Sequence, residues 1–208
     1  MSLMDRKRNL WGKTDRSSSS KQWHSLLCHL LDVSAATETI WQRVIPCSVG
    51  GSVAETLGVS DLAESGRLLA FWAALHDIGK ASPGFQALDQ HGKARLEKAG
   101  LGFRPGTCRR HRVLSAKILN DVFAAQPGSD ADILRALAAA VAGHHGDFPS
   151  SVDLGRLTSW DTGDSGWQEV RQSLIDDLIV TLDISSPIPP SGDTMGSSRA
   201  EAADRSGT

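Results

Sequence analysis

Imidazoles stand at four places in this chain where a helical core is expected, and this constrains the fold more than any other feature. His29 shares an apolar helical stretch with Leu26, Leu30 and Val33. His76 follows Leu75 and immediately precedes Asp77. His111 opens an apolar run, and His144-His145 close another between Gly143 and Gly146. An imidazole is costly to bury unless its nitrogens find partners. The inner ends of several helices are therefore expected to meet in one polar pocket inside a helical bundle.

The periodicity supports that architecture. Leu26, Leu30, Val33, Thr37 and Ile40 fall at steps of three and four and predict a helix within 22–44. A second helix is expected over 61–78, carrying Leu62, Leu68, Leu69, Phe71, Trp72 and Leu75, with Asp61 and Glu64 at its start. Ser82-Pro83 reads as a cap and first-turn proline opening a helix that ends near Gly100. Further helices are expected over 111–124, over 131–144 after the Gln126-Pro127-Gly128 break, and over 167–182. No alternating strand and no internal repeat stands out, so the fold class is all-α. Residues 1–8 read as an N-terminal extension, 9–184 as one domain, 146–166 as a long loop within it, and 185–208 as a disordered tail.

Composition narrows the classes. The chain has 208 residues, 40% hydrophobic and 22% charged, enough for one packed core. A net charge of -2 excludes a polycation, yet the charge is uneven. Lys93, Arg95, Lys98, Arg104, Arg109, Arg110 and Arg112 face only Glu97 within their stretch, and from 146 onward acidic residues predominate. No apolar run approaches the ~20 residues that span a bilayer. The first ten residues lack the apolar stretch of a secretory signal. Cys28, Cys47 and Cys108 are odd in number and widely spaced, which suits a reducing cytoplasm rather than a disulfide framework. Cys28 and Cys47 are expected as small buried groups and Cys108 nearer the surface.

Neutral imidazole and carboxylate both bind transition cations. A carboxylate such as Asp77 can bridge two ions ~3.5–4 Å apart, the spacing of two-metal phosphoryl chemistry. Adjacent residues on a regular helix point ~100° apart, so His144 and His145 converge only where the helix ends, and Gly146 provides that stop. The competing reading makes each histidine a hydrogen-bonded core residue.

The run His76-Asp77-Ile78-Gly79-Lys80, followed by Ala81-Ser82-Pro83-Gly84-Phe85-Gln86, resembles the signature of the HD phosphohydrolase superfamily. Leu10-Trp11-Gly12-Lys13, Trp23 with His29-Leu-Leu-Asp32-Val-Ser-Ala-Ala36, Arg110-His111 and Gly143-His144-His145-Gly146 narrow the resemblance. Together they resemble the HD nuclease domain of the CRISPR-associated helicase–nuclease of type I systems, over about residues 9–182. The resemblance implies an HD-domain helical bundle with a dinuclear metal pocket. It implies that His29, His76 and Asp77 hold one divalent transition ion (iron, manganese, nickel or cobalt) and that Asp77, His111, His144 and His145 hold the other. Asp77 and Lys80 would be catalytic, Lys80 lying near the scissile phosphate. The implied substrate is single-stranded DNA, and the implied partner is a CRISPR surveillance complex. No Walker-type loop occurs in the sequence, so the helicase is expected on a separate chain. A later Asp in an apolar helix, usual in the family, has no counterpart; Asp176, Asp177 and Asp183 are the nearest substitutes.

Other residues admit two readings. Lys80 reads alternatively as the partner of a nearby carboxylate or as a cap on the end of the His76 helix. The basic residues from Lys93 to Arg112 form either a cationic wall that guides a phosphate backbone or a solvated face. Phe103 and Trp160 are open to base stacking, whereas Phe85, Trp11, Trp23, Trp41, Trp72 and Trp167 read as packing anchors. His24 reads as an outer neighbour of His29, and His91 as solvated. A phosphohydrolase acting on nucleotides or cyclic nucleotides, and a truncated fragment that binds metal or a partner without cutting, are the alternative functions.

Overall fold

The computed structural model describes residues 2–14, 23–104, 107–124 and 130–189. The Gln126-Pro127-Gly128 break and residues 190–208 of the expected tail lie outside the described residues. In chain order the elements are α1 (Leu3–Asn9), β1 (Trp11–Thr14), β2 (Trp23–Ser25), α2 (Leu26–Arg43), α3 (Cys47–Thr56) and α4 (Leu62–Ala74). A 3₁₀ turn, Leu75–Lys80, follows α4, and then come α5 (Pro83–Gln86), α6 (Gln90–Lys98), α7 (His111–Ala124) and α8 (Ala131–Ala142). A second 3₁₀ turn, Gly143–His145, precedes α9 (Ser151–Gly155), α10 (Ser159–Thr162) and α11 (Ser165–Thr181).

The all-α class holds, and α4 lies at its centre. Asp61 caps it as expected, accepting from the N–H groups of Ala63 and Glu64. Its apolar face joins Leu30, Leu75, Ile78, Leu114, Ile118, Phe123, Leu134, Leu174 and Leu178 in one core. Phe71 meets the rings of Trp72 and Phe123 edge-on. Trp11, Trp72 and Trp167 are buried, whereas Trp23 is 40% exposed.

Several local expectations are corrected. Residues 11–14 and 23–25 pair as an antiparallel two-stranded sheet, Lys13 opposite His24 and Thr14 opposite Trp23. Strands of three and four residues are too short for alternation to register. The helix expected from Ser82 to Gly100 is two helices, because Asp89 accepts from the N–H groups of His91 and Gly92 and starts α6 afresh. Ser82 takes the cap position without its hydroxyl bonding the helix. The stretch 146–166 holds two short helices, each opened by a capping box: Ser150 with Asp153, and Thr158 with Asp161. Cys28 and Cys47 are exposed, not buried. Both lie in the first turns of helices that begin at the surface.

The first residues are part of this architecture. Lys7 on α1 is 5% exposed and its Nζ is 2.6 Å from Asp177 Oδ2 on α11. Gln86 ties β1 to the segment after the HD motif: its Oε1 accepts from Trp11 N–H and its Nε2 donates to Trp11 O and Lys80 O. At the tail side, Trp72 Nε1 donates to Pro187 O.

Arg171 on α11 clamps the same region. Its guanidinium donates to Ala81 O at 2.9 Å and Thr162 O at 2.6 Å, and burial pulls its pKa down to about 10. Arg171→Leu leaves both carbonyls unpaired, so a loss of about 2–4 kcal/mol is expected. For a chain of this size that is a Tm fall of about 4–16 °C, measurable by calorimetry.

Candidate metal centre

At Leu75 the helix α4 tightens into the 3₁₀ turn, carrying His76, Asp77 and Lys80 into the interior. The turn is locked against α7 through Ser115, whose Oγ accepts from Gly79 N–H at 2.9 Å and donates to His76 O at 2.9 Å. Gly79 permits this approach, since a Cβ there would lie 2.0 Å from His111 O. The same packing sets the first residue of α7, His111, beside Asp77. From the other side, α8 ends in the Gly143–His145 turn, and Gly146 has φ 80°, the left-handed stop expected from the sequence.

Five imidazoles thereby meet around one carboxylate. Asp77 Oδ2 accepts a hydrogen bond from His29 Nε2 at 2.8 Å. It also lies 3.1 Å from His76 Nε2 and 2.7 Å from Lys80 Nζ. Asp77 Oδ1 lies 3.1 Å from His111 Nε2 and 3.7 Å from His144 Nε2, yet it is buried with no hydrogen bond. His145 closes the group, its Nε2 3.4 Å from His111 Nε2. Burial opposes ionisation of Asp77, but where His111, His29 and His76 turn a protonated nitrogen toward it they outweigh that cost and hold the carboxyl well below the usual carboxylate range. Burial also pushes the His144 imidazole below its ordinary value.

The tautomers bear on what can sit here. His76 Nδ1 is 3.0 Å from Ala73 O, and His144 Nδ1 is 2.9 Å from Val141 O. A carbonyl only accepts, so Nδ1 carries the proton and a neutral ring leaves a lone pair on Nε2. In both residues that lone pair faces an Asp77 oxygen. Lone pairs converging on a buried carboxylate fit a cation and are unfavourable without one. Two sets of ligand atoms lie mutually within 4.8 Å: His29, His76 and Asp77, and His111, His144 and His145. These are the imidazoles and carboxylate picked out in the sequence.

The remaining candidates separate. Lys80 is 8% exposed and, besides Asp77, donates to Gly12 O at 2.9 Å, the carboxylate pairing that was its alternative reading. His24 bonds Asp32 at 2.8 Å at the surface. Asp177 is engaged by Lys7, Asp176 accepts from Gln172, and Asp183 sits beyond α11 with φ 52°. Among the described residues no further acid joins either set. Sequence reasoning missed Ser115, which positions the motif, and took Gln86 only as part of the signature run, without its positioning role. A serine inside an apolar helix carries no distinctive signal.

The family model for "Cas3, HD domain" matches residues 11–203. The chain belongs to the Cas3 HD-domain family. It is 34% identical, over 99% of its length, to a CRISPR-associated endonuclease/helicase Cas3 of Thermus thermophilus, of which it covers 21%. It therefore spans about one-fifth of that relative. A crystal structure described as a CRISPR-associated protein superposes with a TM-score of 0.82 at 35% identity, covering 90% of this chain and 21% of that one. The Thermus thermophilus Cas3 HD domain, solved in the presence of Ni2+, gives a TM-score of 0.64 at 26% identity, covering 90% of this chain and 68% of that one. No helix among the described residues is long and apolar enough to cross a membrane.

Proposed function

We propose that this Cas3-family HD domain is a metal-dependent nuclease that hydrolyses phosphodiester bonds of single-stranded DNA in CRISPR antiviral defence. The observation that carries the reading is the buried Asp77 Oδ1, without a hydrogen bond and ringed by imidazole nitrogens. His29, His76 and Asp77 would hold one divalent transition ion, and Asp77, His111, His144 and His145 the other. Iron, manganese, nickel or cobalt suits this donor set, and the related domain was solved with Ni2+. When bound, such ions supply hydroxide at neutral pH and neutralise charge on the phosphate.

The chain's own groups prepare that chemistry. The His29 N–H and the Lys80 ammonium, 2.8 and 2.7 Å from Asp77 Oδ2, favour its ionised form despite its burial. The carbonyls of Ala73 and Val141 fix two histidines in the tautomer that presents Nε2 inward. Lys80 pins the carboxylate and adds a positive charge behind the position of the phosphate. The basic residues between Lys93 and Arg112 supply the attraction for a polyanion. The partners would be a helicase and the surveillance complex, in the cytoplasm.

The lack of a further acid among the described residues favours one second reading, a domain that binds metal and a partner without cutting. Circular single-stranded DNA, RNA, nucleoside triphosphates and cyclic dinucleotides, each incubated with manganese, nickel or cobalt, separate the readings. Linearisation of the circle is the expected result. Release of phosphate or nucleoside without strand cutting would replace the nuclease by a nucleotide phosphohydrolase, and metal uptake with no product would favour the second reading.

A further inference from the structure

We propose that the groove between α5, α10 and residues 102–104 and 107–109 is a base-stacking subsite for single-stranded DNA, with Trp160 as its platform and Arg104 and Arg109 as its backbone contacts. The proposal rests on the nuclease reading above and says where the strand lies.

Ion pairing sorts the seven basic residues. Arg110 pairs with Asp153 at 2.9 Å, and Arg112 with Asp147. Lys93 is 3.4 Å from Glu97, and Arg95, 3.8 Å from Asp89, lies over the Trp23 ring. No acid lies within pairing distance of Lys98, Arg104 or Arg109 among the described residues. Arg104 and Arg109 alone of these three line a groove.

That groove has an aromatic floor. Trp160 is 56% exposed although the Arg104 guanidinium sits 3.6 Å from its ring centroid. More than half of the Trp160 surface therefore stays open beside that cation. The position is fixed in advance: Asp161, beside it on α10, accepts from Cys108 N–H at 2.6 Å. The cavity in front measures about 480 Å³ and is bounded by Pro83, Phe103, Arg104 and Trp160. A smaller cleft of about 190 Å³ continues it past Phe103 and Arg104 to Thr107 and Arg109. Asp164, an acid on the wall of the larger cavity, has Oδ1 occupied by the N–H groups of Gly166 and Trp167 at the start of α11.

The groove also adjoins the imidazole cluster. Pro83 and Gly84 line it, and the next residue, Phe85, meets the His111 ring edge-on at 5.3 Å. Arg109 stands two residues before His111, a backbone span of at most about 7 Å. A strand held on Trp160 and Arg109 is thereby delivered to the metal ligands. Stacking on an aromatic ring accepts any base, as a nuclease without sequence preference requires.

The test uses the whole chain, a fluorescein-labelled oligo(dT) read by anisotropy in EDTA, and the circular-DNA cutting assay with manganese. Trp160→Ala is expected to weaken binding about ten-fold, and Trp160→Phe to restore most of it. An abasic oligonucleotide should bind the unmodified protein as weakly as oligo(dT) binds Trp160→Ala. Arg109→Ala should lower the slope of log affinity against log salt by about 0.7. Lys117→Ala, on the exposed Lys117–Asp121 pair, should match the unmodified protein. If the unmodified protein cuts the circle while Trp160→Ala binds oligo(dT) equally well, the subsite is overturned and the nuclease reading stands. If the unmodified protein neither binds nor cuts, the nuclease reading fails and takes the subsite with it.

Discussion

Asp77→Asn is expected to abolish metal retention and to lower nicking by at least about 10³-fold, the upper range for removing one charge-stabilising group from a transition state. The substitution keeps the shape of the side chain but removes the charge on which both ligand sets converge. It also strips Lys80 of its counter-charge at 2.7 Å in a site where that lysine is 8% exposed. Breaking a buried pair from one side costs about 3–5 kcal/mol, so a lower Tm accompanies the chemical defect. The double variant Asp77→Asn, Lys80→Met separates the two effects. Its melting point should recover much of the loss, whereas its metal content, read by elemental analysis after dialysis, should not. Full metal retention by either variant would show that Asp77 is not the bridging ligand.

Gly79→Ala should be severely destabilising. The added carbon would meet His111 O at 2.0 Å and Ser115 N at 2.5 Å, both backbone atoms of α7 that no side-chain rotation can move. The turn and α7 must part, costing at least about 3 kcal/mol, the top of the usual range for overpacking. For a chain of this size the Tm would fall by at least about 6 °C. Because α7 carries His111, metal content should fall in parallel. Gly51→Ala, on α3, supplies the contrast. Nothing lies within 4 Å of its added carbon, so the higher helix propensity of alanine should leave stability unchanged or raised by up to about 1 kcal/mol. A Tm for Gly79→Ala equal to that of the unmodified protein would mean that the close approach of turn and helix does not hold in solution.

These two residues also show what a sequence reveals and what it withholds. Asp77 and its histidines were legible because polar groups in apolar helical runs conflict with burial unless they share a task, and their spacing put them at helix ends. The helices over 61–78 and 111–124 were legible from their periodic apolar faces and, for α4, from the cap at Asp61. Lys80 was harder: a lysine after a carboxylate suits a phosphate and a buried ion pair equally well, and only the carbonyl of Gly12 distinguishes its position. The sheet of β1 and β2 depends on partners nine to fourteen residues apart in strands too short to show a period. The capping boxes at Ser150 and Thr158 were present as Ser-x-x-Asp and Thr-x-x-Asp, yet the surrounding glycine and proline obscured them. The basic run could not be sorted at all without its acids, because Asp147 and Asp153 approach it from a different part of the chain.

Gln86 links chain positions 75 residues apart: its amide reaches both Trp11 and the carbonyl of Lys80, while Lys80 itself reaches Gly12. The opening strand is therefore wired to the turn that carries His76, Asp77 and Lys80 rather than merely preceding it. A tag or trim that disturbs residues 10–13 is consequently expected to disturb the candidate metal centre, although it is made about 65 residues upstream of the histidine–aspartate pair.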